Sequence, residues 1–445
     1  MIKLFTFGCK TNLAEVSAVA DDISKIGFSC KTHNGNEIFS RKNILENTRF
    51  AIINTCTVTE NADDKTRKAV RTLRKYLGNL PNADGKIEII LVGCMVRADP
   101  EKAMSVGADR VFASLSEAFD YIIRGSPPTA DHNNILFVKS HTRDFLKIED
   151  GCNNYCAYCL IPKARGGLLP TSMRVDEAEY RVRELYAQSQ FKQELVLTGI
   201  NLSLYEYGLS AVVRAAVSVG YTRIRLGSLE PNGKITESEL ESLSQIPELC
   251  PHFHISLQSG SARILSAMRR RYTPQEYMRF ITLVRRHFPN ANITTDIIAG
   301  FDGETDEDFA DTLEFAEECG FSKIHAFAYS ERAGTIAEQT RKLAIADVRN
   351  TETVNRKTVQ VNKNTESVNC NPVPENTKKQ RADALRALSV RLQKKYTARF
   401  LGQRLQVLCE KDGTGYSREY IRVRLPDGCR RGEVYEVTLT EDNLL

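Results

Sequence analysis

The sequence predicts an α/β protein with an N-terminal parallel α/β sheet domain, a central partial β/α barrel and a small antiparallel β-barrel at the C-terminal end. Three observations lead to this prediction. Short apolar runs alternate with helix-like segments through residues 1–128, and the alternation resumes through residues 135–336. Residues 337–376 form an Asn/Thr-rich insert or linker, and residues 377–445 combine a basic helix with turn-separated apolar runs.

Length, charge and cysteine content limit the possible functions. The chain has 445 residues, a formal charge of +5 and 12 cysteines. So mild a charge permits a polyanionic partner without requiring one. The apolar start, Ile2–Phe7, is too short for a secretory signal, and no other run approaches a membrane span. We therefore expect a cytoplasmic protein with no membrane partner, whose cysteines bind metal or act in catalysis rather than form disulfides.

The first domain alternates strands and helices in the manner of a parallel sheet. We expect helices over Leu13–Ile26, closed by Gly27, and over Asp64–Leu77. The expected strands are Ile2–Phe7, Phe50–Ile53 and Ile87–Val92. A Gly/Pro-rich and then polar tract over 125–134 interrupts this pattern and predicts a domain boundary.

Six strand-like runs with helices between them follow, which is the pattern of a partial β/α barrel. A strand over Ile135–Val138 opens this second domain. The six runs are Phe145–Ile148, Leu195–Thr198, Arg223–Leu226, His254–Leu257, Ile293–Ile298 and Ile324–Tyr329.

The C-terminal part is expected to begin with a basic amphipathic helix over Lys378–Phe400. Its predicted apolar positions are Leu385, Leu388, Val390 and Leu392, and its basic positions are Lys379, Arg381, Arg386, Arg391, Lys394 and Lys395. Three runs then predict the small antiparallel barrel: Leu405–Glu410, Arg418–Leu425 and Val434–Thr440.

Three cysteines follow the first barrel strand at CxxxCxxC spacing, namely Cys152, Cys156 and Cys159. Three thiolates leave one iron of a [4Fe–4S] cluster open to an outside chelator, and S-adenosylmethionine (SAM) can fill that position. The alternative is a zinc knuckle, which needs a fourth ligand that the sequence does not offer at zinc-finger spacing. Spacing favours the cluster and leaves zinc open.

This loop resembles that of the radical-SAM superfamily, in which the aromatic residue before the last cysteine, here Tyr158, meets the adenine. The resemblance extends to strand ends that contact SAM in that superfamily. Candidate cofactor-binding residues are Gly199, Asn201, Glu230, Ser256, Gln258, Asp296 and Gly300. Ordinary strand termination is the alternative for these positions, because Gly and Asx residues commonly end strands, and for Glu230 the alternative is stabilisation of the barrel rim.

Cys9, Cys56 and Cys94 each follow a predicted strand of the first domain. Because carboxyl ends of parallel strands share one edge, these thiols should converge and hold a second three-cysteine cluster. Any one of them alone could be a small buried apolar side chain. The other six cysteines, including Cys30, Cys250 and Cys319, lack partners at ligand spacing.

The motifs around Cys9, Cys56 and Cys94 are similar to those of methylthiotransferases, and this resemblance spans nearly the entire chain. It implies SAM and two [4Fe–4S] clusters as cofactors, with all six cysteines as catalytic metal ligands. It also implies that one SAM methylates a sulfur atom and a second yields the radical that activates the target carbon. The sequence departs from the family at Arg165–Pro170, where an arginine pair is missing, and in the insert.

The last segment resembles a TRAM domain, a small RNA-binding barrel, and the basic helices suggest an RNA partner. Motifs at Gly8–Asn12 and Asn54–Thr59 look most like the branch acting at C2 of N6-threonylcarbamoyladenosine in the tRNA anticodon stem-loop. The isopentenyladenosine branch, the ribosomal-protein aspartate branch and a zinc-stabilised RNA-binding protein remain alternatives. A flavodoxin- or ferredoxin-type electron donor and a sulfur donor system are the further implied partners.

Overall fold

The computed structural model describes residues 1–26, 28–40, 44–57, 59–78, 87–125, 141–165, 169–231, 233–351, 371–410 and 413–445. The predicted closing glycine, Gly27, the strand Ile135–Val138, the boundary tract beyond 125 and Cys370 lie outside these residues. The described chain forms two compact units. Unit 1 contains Met1–Asn153, Leu160–Ile200 and Ala215–Thr222, and unit 2 contains Asn154–Cys159, Asn201–Arg214 and Arg223–Leu445.

The elements alternate along the chain as predicted. The strands are β1 Ile2–Thr6, β2 Cys30–Asn34, β3 Phe50–Thr55, β4 Glu88–Gly93, β5 Arg110–Phe112, β6 Asp144–Lys147, β7 Glu149–Asp150, β8 Thr171–Ser172, β9 Glu194–Thr198, β10 Arg223–Leu226, β11 Ser228–Leu229, β12 His252–Ile255, β13 Asn292–Ala299, β14 Lys323–Ala328, β15 Arg404–Cys409, β16 Thr414–Ser417, β17 Arg422–Arg424 and β18 Val434–Thr438. The helices are α1 Lys10–Lys25, α2 Glu37–Ser40, α3 Glu60–Gly78, α4 Cys94–Ala98, α5 Pro100–Ser105, α6 Leu115–Gly125, α7 Ile161–Ala164, α8 Val175–Gln188, α9 Leu209–Val219, α10 Glu237–Ser244, α11 Ala262–Ala267, α12 Pro274–His287, α13 Asp306–Cys319, α14 Ile336–Thr351 and α15 Glu375–Ala398.

Unit 1 contains a parallel sheet in the order β2-β1-β3-β4-β5. Its central strands are buried along their whole length, because helices cover both faces. Phe5, Ile53 and Leu91 pack on one face, and Leu4 and Ile52 pack on the other. Strands β6 and β9 form a separate parallel pair in this unit.

Unit 2 contains the parallel sheet β11-β12-β13-β14 and the antiparallel sheet β17-β16-β15-β18. Local signals fix its helices: Thr273 with Glu276 and Thr305 with Asp308 form capping boxes at α12 and α13, and Gly320 ends α13 in the left-handed region. The predicted fold class is confirmed, with parallel sheets followed by a small antiparallel sheet. The domain boundaries stay predictions.

The antiparallel sheet is fixed to the rest of unit 2 by two buried arginines on β10. Arg223 donates to the carbonyls of Gln406, at 3.1 Å, and Tyr416, at 3.0 Å. Arg225 donates to the carbonyls of Ser417, at 2.7 Å, and Arg418, at 2.9 Å. Both arginines are about 1% exposed, and the bond from Arg225 to the Ser417 carbonyl is buried at both ends.

Four details of the sequence analysis are corrected. The fourth barrel strand is His252–Ile255 rather than His254–Leu257. The predicted strand Arg418–Leu425 is broken by a turn in which Tyr420 has φ of 64°. Helix α14 runs through Thr351 into the predicted insert, beginning where Thr335 Oγ1 accepts the Glu338 amide.

The fourth correction concerns the basic helix. Arg381 is buried, and its guanidinium pairs with Glu304 Oε2 at 2.6 Å and Asp306 Oδ1 at 2.7 Å. Val390, predicted to face the core, is 56% exposed. Arg381 therefore serves packing within unit 2 rather than a basic surface. Within the described ranges, no helix is long and apolar enough to cross a membrane.

Candidate functional site

The N-terminal cysteines lie at one edge of the parallel sheet of unit 1. Cys9 follows β1, Cys56 follows β3 and Cys94 follows β4, and these three strands are neighbours. Strand order and direction therefore bring the three thiols to the same edge. A Cβ added at Gly8 would lie 2.7 Å from Cys56 Cβ, and the charges of Cys9 and Cys94 are close enough to interact.

Polar side chains hold the strand ends that carry these cysteines. Asn12 Nδ2 donates to the carbonyls of Phe7, at 3.0 Å, and Thr55, at 3.1 Å. Thr55 Oγ1 donates to the Val92 carbonyl at 2.7 Å and accepts the amide of Met95 at 3.2 Å. These bonds tie β1, β3 and β4 together where the chain turns toward each cysteine.

The three thiols differ in environment. Cys56 and Cys94 are 7% and 4% exposed, whereas Cys9 is exposed to solvent. Burial raises the pKa of Cys94, and the nearby Arg165 charge opposes that rise. The Cys9 carbonyl accepts the first bond of α1, from the Leu13 amide at 3.3 Å, so Cys9 lies at the N-terminal end of that helix.

Gly93 is required by its conformation and its neighbours. It has φ of 96° and ψ of −154°, a region that essentially only glycine adopts. A Cβ there would lie 2.3 Å from Asn54 Oδ1 and 2.9 Å from the Thr55 carbonyl. The close approach of β3 to this position is what lets Cys94 reach the shared edge.

We expect Gly93→Ala to lower the free energy of unfolding by about 1–3 kcal/mol from backbone strain alone, with steric overlap adding to it. Gly78→Ala is the matched control, because no atom lies within 4 Å of a Cβ at the end of α3. Chemical denaturation of both variants measures the difference. Equal stabilities would show that Gly93 is not a constrained position.

The central cysteine loop contains residues of both units, because unit 1 includes Asn153 and unit 2 includes Asn154–Cys159. Cys152 is a partly exposed residue of unit 1. In unit 2, the Cys159 amide donates to the Cys156 carbonyl at 3.0 Å, and the Ala157 amide donates to the Met268 carbonyl at 2.9 Å. Backbone hydrogen bonds therefore hold the part of this loop that lies in unit 2.

Arg270 is a residue of this site that the sequence analysis missed. Its Nη1 donates to Cys156 Sγ at 3.2 Å, and its Nη2 pairs with Glu230 Oε1 at 2.8 Å. Glu230 also accepts from Asn154 Nδ2 at 2.6 Å, and Arg270 is 4% exposed. Glu230, predicted to bind the cofactor, thus holds Arg270 against the cysteine. Only the positive charge within Arg269–Arg271 could have signalled this in the sequence.

Three of the predicted cofactor residues contact the protein itself. A Cβ at Gly199 would meet Glu149 Oε2 at 2.5 Å, and one at Gly300 would meet Lys378 Cγ at 2.4 Å. Asn201 Oδ1 accepts the Ser203 amide at 3.1 Å. These residues therefore have packing and capping contacts within the protein, and their contacts to SAM stay predictions.

The other predicted contacts are Ser256 and Gln258 in the loop after β12, Asp296 on β13 and Tyr158 in the central cysteine loop. Gln258 has φ of 72°, and its amide donates to the Asp296 carbonyl at 2.8 Å. The Ser256 carbonyl accepts from the Tyr272 hydroxyl at 2.7 Å. Tyr158 is partly exposed, and burial of its hydroxyl raises its pKa well above the ordinary value.

One further group of side chains in unit 2 could hold a metal ion. His254, Asp296 and His325 lie on the adjacent strands β12, β13 and β14, with potential ligand atoms within 4.8 Å of one another. His254 Nε2 is 3.3 Å from Asp296 Oδ2. These nitrogen and oxygen donors suit a divalent ion, whereas iron–sulfur clusters take the thiolates described above.

Comparison with known proteins agrees with this arrangement. Residues 146–316 match the Radical SAM superfamily, and residues 1–113 match a family described as uncharacterized protein family UPF0004. The chain resembles a solved structure of the radical SAM methyltransferase TsrM from Kitasatospora setae, with cobalamin and a [4Fe–4S] cluster bound. The TM-score is 0.51 at 13% identity over 76% of this chain and 75% of that one, so the likeness shows the fold alone.

Named relatives cover most of the chain. It is 29% identical to threonylcarbamoyladenosine tRNA methylthiotransferase MtaB of Thermotoga maritima, over 100% of this chain and 96% of the relative. It is 33% identical to MtaB of Chlamydia pneumoniae, over 75% of this chain and 76% of the relative. It is also 28% identical to tRNA-2-methylthio-N(6)-dimethylallyladenosine synthase of Bacteroides thetaiotaomicron, over 92% of this chain and 85% of the relative.

Parallel α/β sheets with cysteine motifs at their strand ends define a radical SAM iron–sulfur enzyme. The chain belongs to the radical SAM methylthiotransferase family. Its cofactors are SAM and [4Fe–4S] clusters, two of them in methylthiotransferases. The residues fit such clusters, since soft thiolates follow three neighbouring strands and Gly8 lets the chain after β1 approach Cys56 closely. Family membership sets aside the zinc-stabilised RNA-binding alternative.

Proposed function

We propose that this enzyme adds a methylthio group to C2 of N6-threonylcarbamoyladenosine at position 37 of tRNA. The observation that carries this proposal is the full-length similarity to relatives named for that substrate, at 29% identity over the whole chain. The competing substrate is dimethylallyladenosine, because relatives named for it are 28% identical over nearly as much of the chain.

In this proposal Cys152, Cys156 and Cys159 hold the cluster that binds SAM. Once bound, cluster and SAM supply the electron and the carbon radical that activate C2. Arg270 orients Cys156 through its 3.2 Å bond, and Glu230 keeps Arg270 in place. Tyr158, Gly199, Asn201, Ser256, Gln258, Asp296 and Gly300 stay proposed SAM contacts. No side chain of the site needs to act as an acid or a base.

The thiolates of Cys9, Cys56 and Cys94 hold the second cluster and present the sulfur to be transferred. The exposure of Cys9 supports this role, because a group bound by these thiolates is reachable from that side. Because Cys56 and Cys94 are buried, water is excluded from the bound group on the side away from Cys9. A sulfur donor system and a flavodoxin- or ferredoxin-type reductant in the cytoplasm complete the proposed reaction.

Exposed basic side chains on three elements support binding of the tRNA anticodon stem-loop. They are Lys65, Lys68, Arg71 and Lys75 on α3, Lys379, Lys394 and Lys395 on α15, and Arg422 and Arg424 on β17. Each phosphate contact from such residues adds roughly 0.7–0.9 to the slope of log affinity against log salt. Arg381 does not contribute, because it is buried against Glu304.

Mass spectrometry of nucleosides from bulk tRNA tests the substrate. In a strain lacking this gene, we expect methylthio-threonylcarbamoyladenosine to disappear and its precursor without the methylthio group to accumulate. Complementation with the parent chain should restore the product, and complementation with Cys9→Ala should not. Loss of the methylthio-dimethylallyl nucleoside instead would replace our assignment with the competing substrate.

A further inference from the structure

Four charged side chains of unit 1 form a compact ion cluster: Glu15, Lys147, Asp150 and Arg165. Lys147 Nζ lies 2.8 Å from Glu15 Oε1 and 2.7 Å from Asp150 Oδ2. Arg165 Nη1 contacts Glu15 and lies 3.3 Å from Asp150 Oδ2. Arg165 is 2% exposed, so its charge sits inside the protein. Two cations and two anions balance one another in this ion cluster.

Three residues of the ion cluster lie close to cysteine motifs, two of them along the chain and one through a packing contact. Glu15 is on α1, which begins directly after Cys9, and Asp150 is two residues before Cys152. Arg165 follows Ala164, which packs against Cys94 in a small buried contact. The Arg165 and Cys94 charges are close enough to interact, and so are those of Glu15 and Cys94.

Stability alone does not explain charges in this position. Buried ion pairs are often no more stabilising than apolar residues of the same volume, since removing charges from water is costly. Their effect on a nearby redox group is larger, because Coulomb interactions are poorly screened inside the protein. A cluster that gains an electron becomes more negative, so a neighbouring cation favours the reduced form and a neighbouring anion opposes it.

We propose that Arg165 is a positioning residue that sets the reduction potential of the iron–sulfur cluster held by Cys9, Cys56 and Cys94, with Glu15 acting in the opposite direction. This inference rests on the proposed assignment of that cluster. Asp150 and Lys147 hold the pair in place, because each contacts a member of it.

Redox titration of the full-length chain, followed by electron paramagnetic resonance, tests this inference. The titration uses a background in which Cys152, Cys156 and Cys159 are alanine, so that only the N-terminal cluster is reconstituted. We expect Arg165→Gln to shift the potential negative and Glu15→Gln to shift it positive. A tenfold change in the reduction equilibrium is about 59 mV for one electron. The double variant Arg165→Gln/Glu15→Gln loses one positive and one negative charge, so the ion cluster stays neutral. Its reduction potential should therefore lie close to that of the background protein.

Two further variants distinguish an effect on the reduction potential from an effect on protein stability. Arg165→Lys keeps the charge and should keep most of the potential even if it lowers stability. Arg143→Gln breaks the ion pair that joins the residue before β6 to Glu194, the first residue of β9, so it should destabilise unit 1 without moving the potential. Shifts of the same sign in Arg165→Gln and Glu15→Gln, or no shift in either, would overturn the inference. A background chain that binds no iron would instead overturn the cluster assignment itself.

Discussion

Replacing Cys152, Cys156 and Cys159 together by alanine is expected to remove about four irons per chain and to stop reductive cleavage of SAM. All three thiolates are needed, because two cannot hold a cluster that leaves a single iron open for SAM. Arg270, already buried beside Cys156, would also lose its acceptor. Iron and sulfide analysis after anaerobic reconstitution, with chromatographic measurement of 5′-deoxyadenosine, checks both effects.

Single replacements elsewhere provide the control for this result. Cys30, Cys250 and Cys319 are buried apart from both cysteine motifs in sequence, and each alanine variant should retain the parent iron content. A triple variant that still cleaved SAM would place the radical chemistry at other residues. Zinc in place of iron in the parent chain would remove the basis of the assignment altogether.

Replacing Cys9, Cys56 and Cys94 together should have a different effect. We expect the loss of about four irons and of all methylthiolated product, while SAM is still cleaved to 5′-deoxyadenosine. The reason is that Cys9, Cys56 and Cys94 lie at the strand ends of unit 1, whereas Cys156 and Arg270 have their contacts within unit 2. The two variant proteins should therefore be separable by comparing SAM cleavage with product formation in the same reaction.

The matched control for this second variant is Asn12→Ala, which removes the bonds to Phe7 and Thr55 but leaves every thiol in place. It should lower stability and iron occupancy only in part. Full product formation by the triple variant, at parent iron content, would contradict a role for these cysteines.

Strand order was the most predictable part of the site. The positions of Cys9, Cys56 and Cys94 after apolar runs were enough to predict a common edge, because parallel strands must end together. Bounds were less predictable, since α1 begins at Lys10 and β12 begins at His252, outside the most apolar stretch of each segment. Hydrogen bonding at the ends, rather than apolar content, sets those limits.

Long-range polar contacts were not predictable from the sequence. Arg270 lies 114 residues from Cys156, and Arg381 lies 77 residues from Glu304. Arg381 was predicted to be a basic surface position and Arg270 was not singled out, because the sequence does not show which distant acidic or thiol group will pair with a buried arginine. Gly199 and Gly300 were predicted to approach a ligand, which stays a prediction, and the sequence did not indicate that each also lies close to a side chain of the protein.

The burial of Arg223 and Arg225 has a consequence for truncated forms of this protein. A premature stop codon before residue 404 would remove the four carbonyls that accept from these arginines. It would also expose Tyr396 and Phe400, which are buried in one core with Leu405, Val407 and Leu439 of the removed segment. Such a truncation should therefore yield a misfolded chain rather than a folded enzyme with a lower affinity for RNA.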